Sequence, residues 1–187
     1  MAQKAIDILF LQETLGAGLE VTATLTSFLP DWTFITLDAR GRSGGCALGI
    51  NNKTTRMINC WGRSGVLAMN VFFGCSEIEF TLVNVYGPCS DRESFWHSLL
   101  SCSLLTVPHL ILGGDLNFSL GIVKSWGPQA IPDPLAEFFN SKIGASHLVD
   151  IQTTKIQPTW RNRRTGSASL ARRLDRFLIK QDRKSVV

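Results

Sequence analysis

The stretch from residue 109 to residue 118 (HLILGGDLNF) most constrains what this chain can fold into. Residues 110–112 predict a buried strand, because a short apolar run that ends in glycine is typical of a core strand. The Gly113-Gly114 pair allows a sharp turn, or a close approach of the backbone to another group, since neither residue has a Cβ. Asp115 and Asn117 follow, and side chains two positions apart in an extended segment point the same way.

Two interpretations of Asp115 and Asn117 remain open at this point. An ionised Asp can accept a proton from water, and an Asn can orient that water or donate to a developing oxyanion, so the pair suits a hydrolytic site. Alternatively, the Asp side chain closes an Asx-type turn that ends the strand. Either interpretation places the pair at the end of a core strand.

The composition predicts one globular domain over residues 1–187. The chain is 44% hydrophobic and 18% charged, which is typical of a chain with a sizeable core and excludes a disordered one. No apolar run approaches the roughly 20 residues of a membrane span, and Asp7 interrupts the first one, which argues against a secretory signal. We expect an intracellular protein, in the nucleus or cytoplasm, with no membrane and no obligate protein partner.

Five cysteines are spread along the chain without any CxxC pair, which argues against a zinc site and against a disulfide framework. The simplest expectation is a set of free, mostly buried thiols in a reducing compartment. The five residues are Cys46, Cys60, Cys75, Cys89 and Cys102.

Positive charge is concentrated near the C-terminal end. From Arg161 onward there are nine Lys or Arg residues against Asp175 and Asp182. Such a basic segment is a candidate phosphate-binding surface, or else a solvated tail. Trp160 stands beside Arg161 and Arg163, so it could stack on a base while the arginines hold phosphates; the alternative is an aromatic packed beneath a loop.

Two earlier strands also end in residues of chemical interest. Residues 6–14 predict a strand that ends near Glu13, and a carboxylate at a strand end suits Mg²⁺, although a surface acid or a helix N-cap is an alternative. Residues 32–86 predict a meander of antiparallel strands whose last member ends at Tyr86. That hydroxyl could donate to a phosphate oxygen, or belong to a core tyrosine with a satisfied hydroxyl.

Residues 91–105 predict the clearest helix, with Ser90 or Asp91 as its cap. The residues that mark its buried face are Phe95, Leu99 and Cys102. The rest of the chain predicts a surface loop over residues 119–134, a short helix over 135–144, and strands over 148–151 and 174–179.

Five motifs occur in a characteristic order: Leu11-Gln12-Glu13-Thr14, Asn84-Val85-Tyr86-Gly87-Pro88, Gly113-Gly114-Asp115-Leu116-Asn117, Pro158-Thr159-Trp160 and Arg173-Leu174-Asp175-Arg176. Together they resemble the endonuclease/exonuclease/phosphatase superfamily. Within it, the chain is most similar to the apurinic-type endonuclease domain of plant LINE-type (non-LTR) retrotransposons. The resemblance runs from residue 6 to residue 179.

This resemblance implies an α/β (α+β type) fold, a four-layer sandwich of two mainly antiparallel sheets flanked by helices. It also implies Mg²⁺- or Mn²⁺-dependent hydrolysis of phosphodiester bonds in DNA. By the resemblance, Glu13 matches the metal-binding glutamate and Tyr86 the tyrosine that contacts the scissile phosphate. Asp115 matches the aspartate that activates the attacking water, and Asn117 the asparagine that helps to hold the water and the phosphate. Asp175 matches the aspartate that orients a catalytic histidine.

Two features of the family do not occur between residues 1 and 187: the metal-binding asparagine of a first strand and a C-terminal Ser-Asp-His segment. His97, His109 and His147 do not stand in that motif, and His97 and His109 are expected to be structural. We therefore expect a fragment with weakened or no endonuclease activity. The alternatives are a catalytically dead remnant that at most binds nucleic acid through its basic C-terminal part, and a phosphomonoesterase of the same superfamily.

Overall fold

The computed structural model describes residues 6–40, 43–121, 124–128 and 130–181. The chain divides into two compact units. Unit 1 comprises Met1–Tyr86 and Pro108–Gly114, and unit 2 comprises Gly87–Val107 and Asp115–Val187. No helix among the described residues is both long and apolar enough to cross a membrane.

The first sheet of unit 1 consists of β1 (Ile8–Gln12), β2 (Trp32–Arg40) and β3 (Ser43–Asn51), in the order β1-β3-β2. Both pairings are antiparallel. Helix α1 (Gly18–Phe28) precedes β2 and is fixed to it by hydrogen bonds. The Gly18 N–H donates to Asp38 Oδ1 at 2.6 Å, and Thr22 Oγ1 lies 3.2 Å from Thr36 Oγ1. Asp38, on the neighbouring strand, thus accepts a hydrogen bond from an N–H group at the start of the helix that has no partner within the helix.

The second sheet of unit 1 has the order β4-β5-β6-β7. Its strands are β4 (Thr55–Arg63), β5 (Val66–Phe73), β6 (Glu79–Tyr86) and β7 (Leu110–Asp115), whose last residue belongs to unit 2. The β4/β5 and β5/β6 pairings are antiparallel. The predicted strands are present, but they do not form a single meander, because β3 and β4 belong to different sheets.

The core of unit 1 lies between these two sheets. Alternate residues of β3 and β5 point into it, as expected for strands with one buried face. The buried members of this core are Cys46, Leu48, Ile50, Leu67, Met69, Val71 and Leu82, each at most 2% exposed. Burial of each large side chain contributes roughly 1.5–3 kcal/mol, so this layer is the main source of stability of unit 1.

Unit 2 contains α2 (Arg92–Ser101), a 3-10 turn (Ser103–Thr106) and α3 (Ala136–Ala145). Its strands are short and antiparallel: β8 (Ser125–Trp126), β9 (Leu148–Asp150), β10 (Trp160–Arg161), β11 (Ala171–Arg172) and β12 (Asp175–Lys180). They pair in the order β10-β11-β8, and β12 pairs with β9. With three α-helices in the described residues and mainly antiparallel sheets, the predicted mixed α/β class is confirmed.

An aromatic cluster forms the core of unit 2. Trp96 of α2 makes edge-to-face contacts with Phe118 and Phe139, whose ring centroids lie 5.1 and 5.2 Å away. All three side chains are 1% exposed. Such arrangements stabilise beyond their buried area.

The prediction for α2 was wrong in three details. Leu99 is buried as predicted, but Trp96 and Leu100 complete the buried face in place of Phe95 and Cys102. Cys102 is exposed, since the α-helix ends at Ser101 and the chain continues as a 3-10 turn. Asp91 occupies the N-cap position but makes no side-chain capping hydrogen bond, because its backbone is left-handed with a φ of 51°.

Two further predictions need correction. Of the five cysteines only Cys46 is buried, because the others lie on edge strand β4, in a turn, in a loop and after a helix end. The segment 119–134 is not simply a surface loop, since Asp133 is 4% exposed. Its carboxylate accepts hydrogen bonds from Arg92 at 2.7 and 2.8 Å and from the Ser119 N–H at 3.1 Å, which draws the loop inward.

Candidate active site

Glu13 stands directly after β1, and its carboxylate is paired with Tyr86. The Tyr86 hydroxyl donates to Glu13 Oε1 at 2.9 Å. Glu13 has a left-handed backbone with a φ of 54°, which turns its exposed side chain out of the line of the strand. The turn is held because the next two N–H groups donate to the carbonyls of Gly45 and Gly44 at 3.4 and 3.2 Å. The structure therefore brings together two of the predicted site residues within unit 1.

Asn84 holds the strand ends that carry this pair. It is fully buried, and its Nδ2 donates to the carbonyls of Leu11 at 3.1 Å and Ala47 at 2.8 Å. Its Oδ1 accepts a hydrogen bond from Gln12 Nε2. One amide thus connects β6 to β1 and β3, and fixes the residue before Glu13. Sequence reasoning gave Asn84 no role; the available signal was a polar residue between the apolar residues Val83 and Val85.

Gly114 lies close to the backbone of β6 and to the hydrogen bond between Gln12 and Asn84. A Cβ at this position would lie 2.2 Å from the Val85 carbonyl oxygen, and 2.9 Å from both Asn84 Oδ1 and Gln12 Nε2. The φ of Gly114 is 124°, which disfavours other residues. The glycine is therefore required by a close approach to the amide contact that supports Glu13.

Asp115 and Asn117 lie together in unit 2. Asp115 Oδ1 accepts the Asn117 N–H at 3.0 Å, and Asn117 Nδ2 donates to the Gly87 carbonyl at 2.6 Å. The predicted Asx-type turn is therefore present. The expectation that the two side chains share one face of an extended segment was wrong, because β7 ends at Asp115 and Asn117 has a φ of 51°. The turn instead joins the Asp115 side chain to the Asn117 backbone, while the Asn117 side chain is held by Gly87.

Asp175 is the first residue of β12, and its position is set by Thr159. The Thr159 hydroxyl accepts the N–H groups of Leu174 and Asp175 at 2.9 and 3.0 Å. Asp175 is half-buried. The predicted motif around Thr159 therefore has a structural function: it fixes the start of the strand that carries Asp175.

A charged cluster surrounds Asp150, which is 10% exposed at its side chain. Its Oδ2 lies 2.6 Å from Lys124 Nζ, 3.1 Å from Arg173 Nη1 and 3.3 Å from Arg176 Nη1. Burial lowers the pKa of Arg176 to about 10, although the Asp150 carboxylate opposes that shift. Arg173 and Arg176 flank Asp175 in sequence, so this cluster anchors the same strand. Sequence reasoning missed Asp150 and Lys124.

Trp160 and Arg161 form β10, at the base of a hairpin that leads to β11. Trp160 is 41% exposed, so it is not packed beneath a loop. Arg161 and Arg163 are also exposed. The basic end predicted from the sequence includes Arg183 and Lys184, which lie outside the described residues.

His97 and His109 were expected to be structural, and each contacts an aromatic ring. The ring centroid of His97 lies 4.7 Å from that of Phe138, and that of His109 lies 5.2 Å from that of Phe80. Both are aromatic neighbours within their own unit, which agrees with a packing role.

The donors at Glu13 fit a hydrated hard cation. Among the residues that the structure describes, no three His, Cys, Asp or Glu side chains are grouped so as to hold a metal ion by themselves. Mg²⁺ does not need such a group, because it commonly binds through one or two carboxylates and completes its shell with water and substrate phosphate. An exposed carboxylate beside a phenol satisfies that requirement.

Comparisons with known proteins concern the sequence family and the fold. The sequence model described as the Endonuclease/Exonuclease/phosphatase family matches residues 1–187. No curated protein matches the chain. Among solved structures, the endonuclease domain of TRAS1, a telomere-specific non-LTR retrotransposon, is similar, with a TM-score of 0.64 at 17% identity; the match covers 91% of this chain and 81% of that one.

Two further structures have the same fold. TDP2 of D. rerio, complexed with a single-strand DNA product, matches with a TM-score of 0.62 at 13% identity, over 97% of this chain and 73% of its own. ANGEL2, a 2',3'-cyclic phosphatase, matches with a TM-score of 0.65 at 13% identity, over 93% of this chain and 70% of its own. At these identities the likeness concerns the fold alone.

Proposed function

Since the chain belongs to the endonuclease/exonuclease/phosphatase family, we propose that it hydrolyses phosphodiester bonds in DNA with Mg²⁺ or Mn²⁺, as an endonuclease of a plant LINE-type retrotransposon. The observation that carries the proposal is the 2.9 Å hydrogen bond between Tyr86 and Glu13. It places a hydroxyl donor suited to a phosphate oxygen beside a carboxylate suited to a hard cation.

Glu13 would hold the cation together with water and a phosphate oxygen of the substrate. When bound, the ion supplies positive charge that stabilises the charge developing on the phosphate. In this proposal the Tyr86 hydroxyl would turn from Glu13 to a phosphate oxygen of the substrate. Tyr86 would then contact the phosphate directly, whereas Glu13 would act on it through the cation.

Asp115 is assigned the proton acceptor for the attacking water. The water oxygen forms the new P–O bond as one proton of the water passes to the carboxylate. The bond to the leaving oxygen breaks with its electron pair moving to that oxygen, which takes up a proton from solvent. Asn117 holds the turn through Gly87 and helps to position the water and the phosphate. Asp175 is assigned an orienting role, on a strand that Thr159 and the Asp150 cluster fix.

DNA is the proposed substrate because the exposed side chains of Trp160, Arg161 and Arg163 combine stacking and phosphate contacts. A small phosphomonoester would have no use for this surface, so the phosphomonoesterase is the weaker candidate. We further propose that the protein acts inside the cell, in the nucleus or cytoplasm, with neither a membrane nor an obligate protein partner.

The test is the nicking of supercoiled plasmid. Wild type with Mg²⁺ is expected to nick, whereas EDTA or Asp115→Ala is expected to abolish nicking. Asp31→Ala is the matched control, since Asp31 is an exposed aspartate whose only described ion pair is with Lys53. If wild-type protein that melts cooperatively nicks no better than Asp115→Ala, the enzymatic proposal is wrong, and the catalytically dead remnant that binds nucleic acid replaces it.

A further inference from the structure

The side chains of Gln12 and Asn84 meet where β6 contacts β1 and β3. Leu11 of β1 and Ala47 of β3 are register partners, and Asn84 Nδ2 donates to the carbonyls of both, at 3.1 and 2.8 Å. These two bonds occupy the amide nitrogen of Asn84, so its Oδ1 accepts the hydrogen bond from Gln12 Nε2. The direction of the contact is therefore fixed, with Gln12 as the donor and Asn84 as the acceptor.

This amide contact lies next to both partners of the Tyr86–Glu13 hydrogen bond. Gln12 is the last residue of β1, and its pairing with Cys46 is the last one between β1 and β3. Asn84 stands two positions before Tyr86 on β6, so the two side chains lie on the same face of that strand. Each partner of the Tyr86–Glu13 pair is therefore tied, within two residues, to one partner of the amide contact.

The backbone of Glu13 depends on such support. Its φ of 54° is left-handed, and a residue with a Cβ keeps this conformation only where the surrounding contacts over-determine it. After Glu13, the next two N–H groups donate to the carbonyls of Gly45 and Gly44. Before it, the chain is held by the side chain of Gln12. The carboxylate is thus carried by a segment that is fixed from both sides.

The amide contact is enclosed, which makes its geometry hard to change. Asn84 is 0% exposed, and a Cβ at Gly114 of β7 would lie 2.9 Å from each of the two bonded amide atoms. Water therefore cannot replace the Gln12 donor when it is removed, and Asn84 Oδ1 would be left buried without that partner. The loss of Gln12 must be felt at the strand ends that carry Glu13 and Tyr86.

We propose that Gln12 and Asn84 are positioning residues of the candidate active site. Their contact sets the placement of the Glu13 carboxylate against the Tyr86 hydroxyl, and with it the affinity of the site for a divalent cation. Replacing a residue that orients a metal ligand commonly costs roughly 10–100-fold in metal affinity. The inference rests on the proposed metal-dependent function and adds two residues that act through Glu13.

The experiment uses Tyr86 as a probe, because it is the only tyrosine in the chain. Tyrosine labelled with ¹³C at Cζ then gives a single NMR signal that reports on the hydroxyl, in the intact protein without cation or DNA. Gln12→Met removes the donor but keeps an unbranched side chain of similar length. We expect it to move the Tyr86 signal in the same direction as Glu13→Ala, because both variants weaken the hydrogen bond between Tyr86 and Glu13.

Cation binding is read from the same signal. Mn²⁺ is paramagnetic and broadens the signal of a nearby nucleus, so a titration with Mn²⁺ alone measures its affinity for the site. Gln12→Met is expected to need about tenfold more Mn²⁺ than wild type for the same broadening. In the plasmid assay, its Mg²⁺ concentration for half-maximal nicking should rise about tenfold, while the rate at saturating Mg²⁺ changes less.

Gln152→Met is the matched control, since it makes the same chemical change at an exposed glutamine of unit 2. It should leave the Tyr86 signal and the Mn²⁺ titration as in wild type. Thermal melting shows whether each variant keeps its fold. If Gln12→Met does not melt cooperatively, Gln12→Thr takes its place, because threonine favours strands but is too short to reach Asn84.

An unchanged Tyr86 signal in Gln12→Met, or a Mn²⁺ titration equal to that of wild type, would overturn the inference. A wild-type signal that Mn²⁺ does not broaden would also overturn it, since there would be no cation affinity to set. The plasmid assay separates these failures from that of the enzymatic proposal. If nicking requires Asp115 and Mg²⁺ while Gln12→Met behaves like wild type, only the positioning role is wrong. If nicking is absent while Gln12→Met moves the signal and weakens Mn²⁺ binding, the positioning role holds without the catalytic function.

Discussion

Asn84 in unit 1 and Asp150 in unit 2 support predicted site residues by different chemistry. Asn84 is a neutral amide that makes three hydrogen bonds, to Leu11, Gln12 and Ala47. Asp150 is a carboxylate that faces three cations, of which Arg176 is fully buried at its side chain. Both groups connect segments that are distant in sequence, but only one of them depends on a balance of charges.

This difference predicts how well each unit tolerates the substitution of its supporting residue. A buried neutral amide loses only its hydrogen bonds when it is replaced, and each bond has a modest net value. A buried carboxylate that compensates several cations leaves those charges uncompensated when it is removed, which is far more costly. Unit 2 should therefore be the more sensitive to a single isosteric substitution.

The largest expected effect is that of Asp150→Asn. This change keeps the shape of the side chain but leaves Lys124, Arg173 and Arg176 without a carboxylate. We expect a loss of about 3–5 kcal/mol in the free energy of unfolding, the usual result of breaking a buried ion pair. Urea denaturation monitored by circular dichroism measures it.

Asp31→Asn is the control for this substitution, because the ion pair of Asp31 with Lys53 is exposed and should contribute no more than about 1 kcal/mol. If Asp150→Asn had as small an effect as the control, the three cations would be solvated in spite of their burial, and the contrast between the units would disappear.

The second-largest effect is expected for Asn84→Leu, which replaces the central amide with an apolar side chain of similar size. Gln12 and the carbonyls of Leu11 and Ala47 lose their partner, so we expect a loss of about 2–3 kcal/mol. Asn59→Leu on the exposed strand β4 serves as the control, and its unfolding curve should stay within about 0.5 kcal/mol of wild type. A loss greater than that of Asp150→Asn would reverse the comparison.

Alkaline pH should weaken unit 1 through Cys46. Burial raises the pKa of this thiol from its usual value of 9.0 to about 11. In this window the unfolded chain releases the proton while the folded chain keeps it, so stability falls as pH rises, by up to about 1.4 kcal/mol per pH unit. Cys46→Ala should show a smaller decline between pH 9 and pH 11, with a total difference of about 1–2 kcal/mol.

Cys60→Ala provides the comparison, because it removes a thiol that is exposed, not one that lies in the core. Equal slopes for wild type and Cys46→Ala would mean that the thiol ionises freely in the folded protein. The core between the two sheets of unit 1 would then admit water.

The strands could be predicted from the sequence because they alternate or form short apolar runs between turn residues. The assignment of β3 and β4 to separate sheets could not, since nothing local distinguishes a hairpin from a crossing between sheets. The one-residue error in α2 has a similar origin. Phe95 and Trp96 are both large and apolar, and only the contacts of Trp96 with Phe118 and Phe139 decide which is buried.

In the candidate site, too, local features could be predicted from the sequence, whereas long-range contacts could not. The Gly113-Gly114 pair indicated a close approach, but its partner is the Gln12–Asn84 contact, which is formed by two residues 72 positions apart. Asp150 appeared only as part of a short strand, because its partners come from a loop and from β12 and its preceding turn. Long-range polar pairs leave no periodic signal in a sequence, so both supporting groups were found only in the structure.

The smallest effect on stability is expected for Tyr86→Phe. It removes the hydrogen bond to Glu13, an exposed carboxylate that water can solvate, so the free energy of unfolding should fall by less than about 1 kcal/mol. The matched control is Thr54→Val, which removes a hydroxyl hydrogen bond of 2.6 Å to the Asp7 carboxylate, away from the predicted site residues.

Activity should separate these two variants although their stabilities do not. We expect Tyr86→Phe to nick plasmid about a hundredfold more slowly than wild type, the usual cost of losing one donor to a transition-state oxygen, and Thr54→Val to nick like wild type. Urea denaturation and initial nicking rates at saturating Mg²⁺ measure both quantities. A Tyr86→Phe protein as unstable as Asn84→Leu would make the tyrosine part of the supporting amide network. A stable variant with an unchanged nicking rate would remove Tyr86 from the catalytic residues, and the hydrogen bond to Glu13 would then only orient the carboxylate.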